Sequence, residues 1–481
     1  MPPVNTCDLL LTHAVLVTMD DDRRIVHDGA LAVRGEHIAA VGTTAELSDW
    51  TAARRVDCSG KAVIPGLIDC HNHLFQLLGR GLGEGMALWP WLCEFIWPYA
   101  GGITRDEAVA SVRLASVEAA LAGTTCVIDN HYAPADPETT LAVAEAIERT
   151  GLRGSVARGI TGTMTEVAAE HGLSPALFRH SADEEIAITE QCLRERTGHR
   201  VGVWPAPLNI IYVDQDLVGR SVELARTHGT PWHSHCSEAR VDPEIYQQAY
   251  GTRPFLWLRD AGLLDERATL AHAIWLDDEE IEAVGTARSG LSYNPMSNQY
   301  LASGTMRLRD VRTAGAVVGL GSDGSAGHRM DMFQVMKQAI YVQRLTTLEP
   351  DSTNAMEALT LATREGARYA GIDAGQLTPG TLADLAVINL DAPPPRPPPR
   401  HRLHPRLLRH RRRRRTDRRR RARHHRARSV HGGRRGGDHG RSRGAGKGVG
   451  GAVGAGAGVS GLTVWVVKVY RVSCSSLAQK T

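Results

Sequence analysis

His71 and His73 stand two residues apart at the close of the run Val63-Ile64-Pro65-Gly66-Leu67-Ile68-Asp69-Cys70. On an extended backbone, side chains two apart point the same way, so both imidazoles can reach one metal ion from a single strand end. A second pair follows the same alternation in Trp232-His233-Ser234-His235-Cys236-Ser237-Glu238. Its later member reaches further past the strand, which makes His235 the third ligand and His233 a wall residue or a support for the ligands. Glu238, three residues on, is placed to shuttle protons beside a metal. His272, in Leu270-Ala271-His272-Ala273, reads equally as a structural or a functional imidazole. Asp323, in Val318-Gly319-Leu320-Gly321-Ser322-Asp323-Gly324, ends an apolar run and is a carboxylate ligand candidate. Three imidazoles and a carboxylate leave room for a water, whose pKa a divalent ion lowers to about 7. That is the chemistry of a metal-dependent hydrolase.

These residues meet only if the elements carrying them are neighbours. Short apolar runs at 63–69, 125–130, 152–160, 201–207, 231–235, 268–273, 289–294 and 316–323 alternate with helical patterns. Thr104-Arg105-Asp106-Glu107 forms a capping box ahead of a helix that Gly123 stops, and Asp136-Pro137 opens another that Gly151 stops. Eight β–α units across 61–372 predict a (β/α)8 TIM barrel, with its chemistry at the C-terminal ends of the strands. An open doubly wound sheet is the alternative, but no Gly-x-Gly-x-x-Gly follows the first strand. Residues 7–45 read as short strands, with Gly35-Glu36 as a hairpin turn, in the part of a small β unit that spans 1–60. Residues 373–391 return to that unit as a strand, and together they make a small β-sandwich domain.

The last 91 residues have a different character. Residues 391–481 hold 22 Arg and 3 Lys against 3 Asp and no Glu, a net charge of +22, whereas residues 1–390 carry −19. Residues 392–481 are rich in Arg, Gly, Pro and His, a composition that predicts a disordered tail. Such a tail could bind nucleic acid or an anionic surface. The competing reading is a shifted reading frame: arginine codons of the form CGN, displaced by one base, encode Val, Ala, Asp or Gly. The chain has 51 Arg and only 5 Lys, the usage of a GC-rich gene. Eight scattered Cys without Cys-x-x-Cys exclude a disulfide framework. With no apolar stretch of about 18 residues, a membrane span is not expected, and a reducing cytoplasm is.

The motifs resemble those of the amidohydrolase superfamily, in the aminohydrolase branch that includes s-triazine hydrolases and 8-oxoguanine, guanine and S-adenosylhomocysteine deaminases. Those carrying the likeness are Pro65-Gly66-Leu67-Ile68-Asp69-Cys70-His71-Asn72-His73, His235-Cys236-Ser237-Glu238, Ala271-His272, Asn294-Pro295-Met296-Ser297-Asn298 and Gly319-Leu320-Gly321-Ser322-Asp323-Gly324. The likeness covers about 1–390. It implies a metal held by His71, His73, His235 and Asp323, with Glu238, His272 and Asp323 catalytic. Binuclear members bridge two metals with a modified lysine on the fourth strand; here the body has only Lys61 and Lys337, neither on that strand. One divalent ion, zinc or iron(II), is therefore expected. The implied reaction is hydrolytic deamination of a small N-heteroaromatic, with s-triazine C–Cl or C–N hydrolysis as the alternative. Gly324-Ser325 after the metal aspartate matches the deaminases, where the triazine chlorohydrolase carries an amide residue. Gln76, Trp89, Asn130 and Asn298 are the candidate substrate-binding residues, and His131 a support. The expected partners are a heterocyclic substrate and further copies of the chain, with neither membrane nor nucleic acid.

Overall fold

In the computed structural model, residues 5–327 and 329–390 are described, together with the backbone of a strand at Val464–Lys468. The chain opens with β1 (Thr6–Val17), β2 (Ile25–Arg34), β3 (His37–Thr43), β4 (Thr51–Asp57) and β5 (Lys61–Pro65). β2 and β3 form an antiparallel hairpin closed by Arg34 and His37, and Gly35 takes φ +59° in the turn. β1 pairs in parallel with β4 through its first half and with β5 at Val15 and Leu16. β4 was not expected from its sequence, Thr-Ala-Ala-Arg-Arg-Val-Asp. It is mostly exposed and carries little apolar alternation, so only its pairing with β1 defines it.

The apolar run 63–69 is not one strand. It divides at Gly66 into β5, which belongs to the small sheet, and β6 (Leu67–Asn72). Pro65 ends the first, and Gly66 lies so close to Thr125 that a Cβ would come within 2.1 Å of its Oγ1. β6, β7 (Thr124–His131), β8 (Arg153–Ile160) and β9 (Val201–Pro207) form a parallel sheet in that order. β10 (Trp232–Cys236), β11 (Ala268–His272), β12 (Gly290–Tyr293) and β13 (Val317–Leu320) form a second. Nearly every residue of these strands is buried, as expected for parallel strands covered by helices. Hydrogen bonds cross between the sheets on both sides. His235 N donates to Leu208 O (3.3 Å) and Ile210 N to His235 O (3.2 Å); opposite, Asp323 N donates to His71 O (2.9 Å). The helices Arg105–Leu121 and Pro137–Arg149 start where the caps predict, with the Thr104/Glu107 box formed and Asp136 accepting from Thr139 N.

After the helix Arg364–Ala370, β14 (Leu385–Asn389) returns to lie antiparallel to β5, Ala386 opposite Ile64. Among the described residues beyond it, the backbone of β15 (Val464–Lys468) pairs in parallel with β14. The rest of the expected tail, 392–463 and 469–481, lies outside the described residues. Among the described residues no helix is long and apolar enough to cross a membrane.

Candidate metal and catalytic site

His71 is buried near the end of β6, and His73 follows it. His235 comes from β10, His272 from the end of β11, and Asp323 from the turn three residues past β13. The two last residues have positive φ, +73° at His272 and +61° at Asp323. Strain of this kind collects where side chains must be aimed rather than packed.

Their hydrogen bonds decide which nitrogens are available. His73 Nδ1 donates to Asn130 O (2.7 Å) and His235 Nδ1 to Leu208 O (2.6 Å). His71 Nδ1 faces His233 Nε2 at 2.9 Å, and His233 Nδ1 in turn lies 3.0 Å from Thr269 Oγ1. Each ligand imidazole thus has its Nδ1 engaged, and three Nε2 lone pairs converge. His73 Nε2 lies 3.2 Å from His235 Nε2 and 3.5 Å from Asp323 Oδ1; His71 Nε2 lies 3.6 Å from that oxygen. His71 Nε2 is buried with no hydrogen-bond partner among the described residues. Converging lone pairs and a carboxylate repel one another unless a cation lies between them. The spacings match the edge, about 3.4 Å, of a tetrahedron with donors at zinc distances. The donor set fits one divalent ion. Burial, with the neighbouring His71 charge, lowers the pKa of His73 to about 4. Burial likewise holds His235 well below the usual range, so both rings are neutral as ligands must be.

Around this cluster stand the proton-handling groups. His272 Nε2 lies 3.3 Å from Glu238 Oε2 and 3.8 Å from Asp323 Oδ2. Its Nδ1 faces the amide nitrogens of Asn298 (3.0 Å) and Asn294 (3.3 Å), which donate to it and leave the ring proton on Nε2. Burial first, then the charges of Asp323 and Asp242, push Glu238 well above the ordinary carboxylate range. Both effects favour its protonated form.

A cleft opens over these residues, walled by Leu88, Trp91, Trp97, Tyr212 and Leu301. Of the four residues expected to bind substrate, the cleft lining includes Gln76 alone. Its amide is already engaged, donating to Tyr132 OH and accepting from Ser325 N. Trp89 turns its indole N–H to Asp242 (3.1 Å), and its neighbour Trp91 faces the cleft instead. Asn130 donates to Ala157 O beneath His73, and Asn298 is turned to His272. His131 is committed to Pro134 O. Sequence reasoning did not single out Asp242, Trp97, Tyr132 or Tyr212. They come from separate loops and helices, and no spacing in the chain links them.

A model of the amidohydrolase family matches residues 62–410. The chain belongs to the amidohydrolase family. A short second match, to a bacterial imidazolonepropionase-like composite domain, covers residues 29–49. A 5-methylthioadenosine/S-adenosylhomocysteine deaminase of Desulforamulus reducens is 30% identical over 402 residues, covering 82% of this chain and 88% of that protein. Among solved structures, an adenosine deaminase from Xanthomonas campestris with bound zinc superposes with a TM-score of 0.74 at 27% identity, covering 81% and 86% of the two chains. The zinc complex of atrazine chlorohydrolase from Arthrobacter aurescens TC1 gives 0.72 at 26%, covering 80% and 88%. The zinc in these relatives agrees with the donor set of this amidohydrolase.

Proposed function

We propose that this amidohydrolase is a hydrolytic deaminase of a small amino-substituted N-heteroaromatic. The observation that carries the reading is a buried Glu238 beside the histidine cluster, its Oε2 3.3 Å from His272 Nε2, in surroundings that favour a protonated acid. The proposal includes closure of the eight parallel strands as a TIM barrel, with the small sheet folded as a sandwich. His71, His73, His235 and Asp323 hold the ion. When bound, it supplies a Lewis acid that brings the pKa of a neighbouring water to about 7.

The residues do the rest. Asp323 accepts the proton of the attacking water as its oxygen bonds to the ring carbon bearing the amino group. Glu238 gives its proton to the adjacent ring nitrogen, so no bare negative charge builds there. His272 donates its Nε2–H to the incoming oxygen and steadies it. It does not act as a base, because two amides occupy its Nδ1. The proton held by Asp323 then passes to the amino group, the C–N bond breaks as the added hydroxyl gives its proton back to Glu238, and ammonia leaves with a ring carbonyl in its place.

Chloride release from a triazine is the second reading, supported by the likeness to atrazine chlorohydrolase. Position 324 argues against it. A Cβ at Gly324 would lie 2.0 Å from Gln76 Oε1, so an amide side chain there would require Gln76 to leave its bonds to Tyr132 and Ser325. The test is a panel of amino- and chloro-heterocycles given to the zinc-loaded chain, including 5′-deoxyadenosine, methylthioadenosine and atrazine, with ammonia and chloride measured in parallel. Ammonia without chloride is expected; chloride alone overturns the reading. The chain is further proposed to act in the cytoplasm as a homo-oligomer, which light scattering checks.

A further inference from the structure

Asp242 is the first residue of the helix Asp242–Tyr250, yet its carboxylate does not cap that helix. A capping acid faces forward to amides two or three residues on. Asp242 looks back: Oδ2 accepts from Glu238 N (2.9 Å) and Ala239 N (2.8 Å). Oδ1 accepts from Trp89 Nε1 (3.1 Å), so three N–H groups converge on one acid that is 1% exposed. The turn it grips is a demanding one. Ser237 sits at φ +49°, a left-handed conformation that side chains resist. Only with that kink does the chain leave β10 and deliver Glu238 to the cleft. Ile274 N and Trp275 N hold the kink from one side through Ser237 O, and Asp242 holds it from the other. Trp89 lies in the helix Leu88–Trp91, whose Leu88 and Trp91 wall the cleft.

We propose that Asp242 is a positioning residue for Glu238, and that its bond to Trp89 ties the Glu238 turn to the cleft wall formed by Leu88 and Trp91. A substrate pressed against that wall meets an acid whose place is already set. The inference rests on Glu238 as the acid of the proposed reaction. Burial pushes Asp242 up to about 6, but its three donors favour the charged form, so at neutral pH it is the anion that the turn requires.

The test uses the full zinc-loaded chain and two variants, Asp242→Ala and Trp89→Phe. Hydrogen exchange at the Glu238 and Ala239 amides is read without substrate. Ammonia release is read with 5′-deoxyadenosine, methylthioadenosine and an aminotriazine. Asp242→Ala is expected to speed exchange at both amides and to lower kcat about 10–100-fold. KM and zinc content should stay near the wild-type values. Trp89→Phe, the milder change, moves both readouts the same way by a smaller factor, and the double variant is no slower than Asp242→Ala alone. Unchanged exchange in the variants overturns the clamp, as does a loss of kcat that only follows lost zinc. Additive effects of the two substitutions overturn the tie to the wall. If the wild type releases ammonia from none of the three compounds, the deaminase reading falls while the exchange arm still decides the clamp.

Discussion

A buried carboxylic acid that keeps its proton can protonate a ring nitrogen, and at Glu238 burial and two neighbouring acids favour that form. Glu238→Gln preserves shape and leaves the ligands untouched. It is expected to retain zinc in full and to lose about 10²–10⁴-fold in kcat, checked by metal analysis beside ammonia release. A variant that stayed fast would remove Glu238 from the mechanism. His233 acts one step further out. It faces His71 Nδ1 and is itself held by Thr269 and Tyr369, so it fixes which nitrogen of His71 points at the ion. His233→Ala is expected to weaken zinc binding about 10–100-fold in competition with a chelator; equal affinity would make His233 a wall residue only. At this scale the convergence of His71, His73 and His235 was legible, because alternation along a strand and its end position constrain where their side chains point. Trp89, Asn130 and Asn298 were not, because the direction of a side chain in a loop depends on what the loop packs against. Trp89 met an acid from 153 residues away.

Strand order and helix caps were readable because they depend on local periodicity and capping chemistry. The division at Gly66 was not read, although Pro65-Gly66 interrupts the run 63–69; the proximity of Thr125 shows why the position must lack a side chain. The contacts that bring Asp323 to His71 are equally invisible in local sequence. Asp69, on β6, accepts from Ser322 N (2.9 Å) and from Ser322 Oγ, joining the first parallel strand to the loop after the last. The carboxylate is buried, so losing one of these bonds leaves an oxygen with nothing to replace it. Ser322→Ala is expected to cost roughly 1–3 kcal/mol of stability, read from urea unfolding of the metal-free protein. A loss below the error of that measurement would mean that the backbone bonds alone hold the seam.

Across the whole molecule the buried charges determine how stability varies with pH. Asp129, fully buried on β7, has its pKa raised to about 7 by burial and secondarily by the charge of Asp69, against one favourable bond from Leu74 N. Its Oδ2 has no hydrogen-bond partner among the described residues. In the unfolded chain the same group ionises near 3.8. Between these values the folded protein holds a proton that the unfolded chain has released. Stability from this group is therefore complete below about pH 4 and declines as pH rises towards 7. The size of the decline is about 4 kcal/mol, from roughly three pH units at about 1.4 kcal/mol each. Asp129→Asn keeps the acceptor for Leu74 N and removes the ionisation. The variant is expected to match the wild type in denaturant unfolding at pH 4 and to exceed it at pH 8, with zinc absent from both. Buried histidines work in the opposite sense, since His131, lowered to about 4 by burial, takes up a proton on unfolding below pH 6.5. That contribution is common to both proteins, so the difference between them isolates Asp129. Equal stability at pH 8 would mean that the Asp129 carboxylate finds in solution the partner that its Oδ2 lacks.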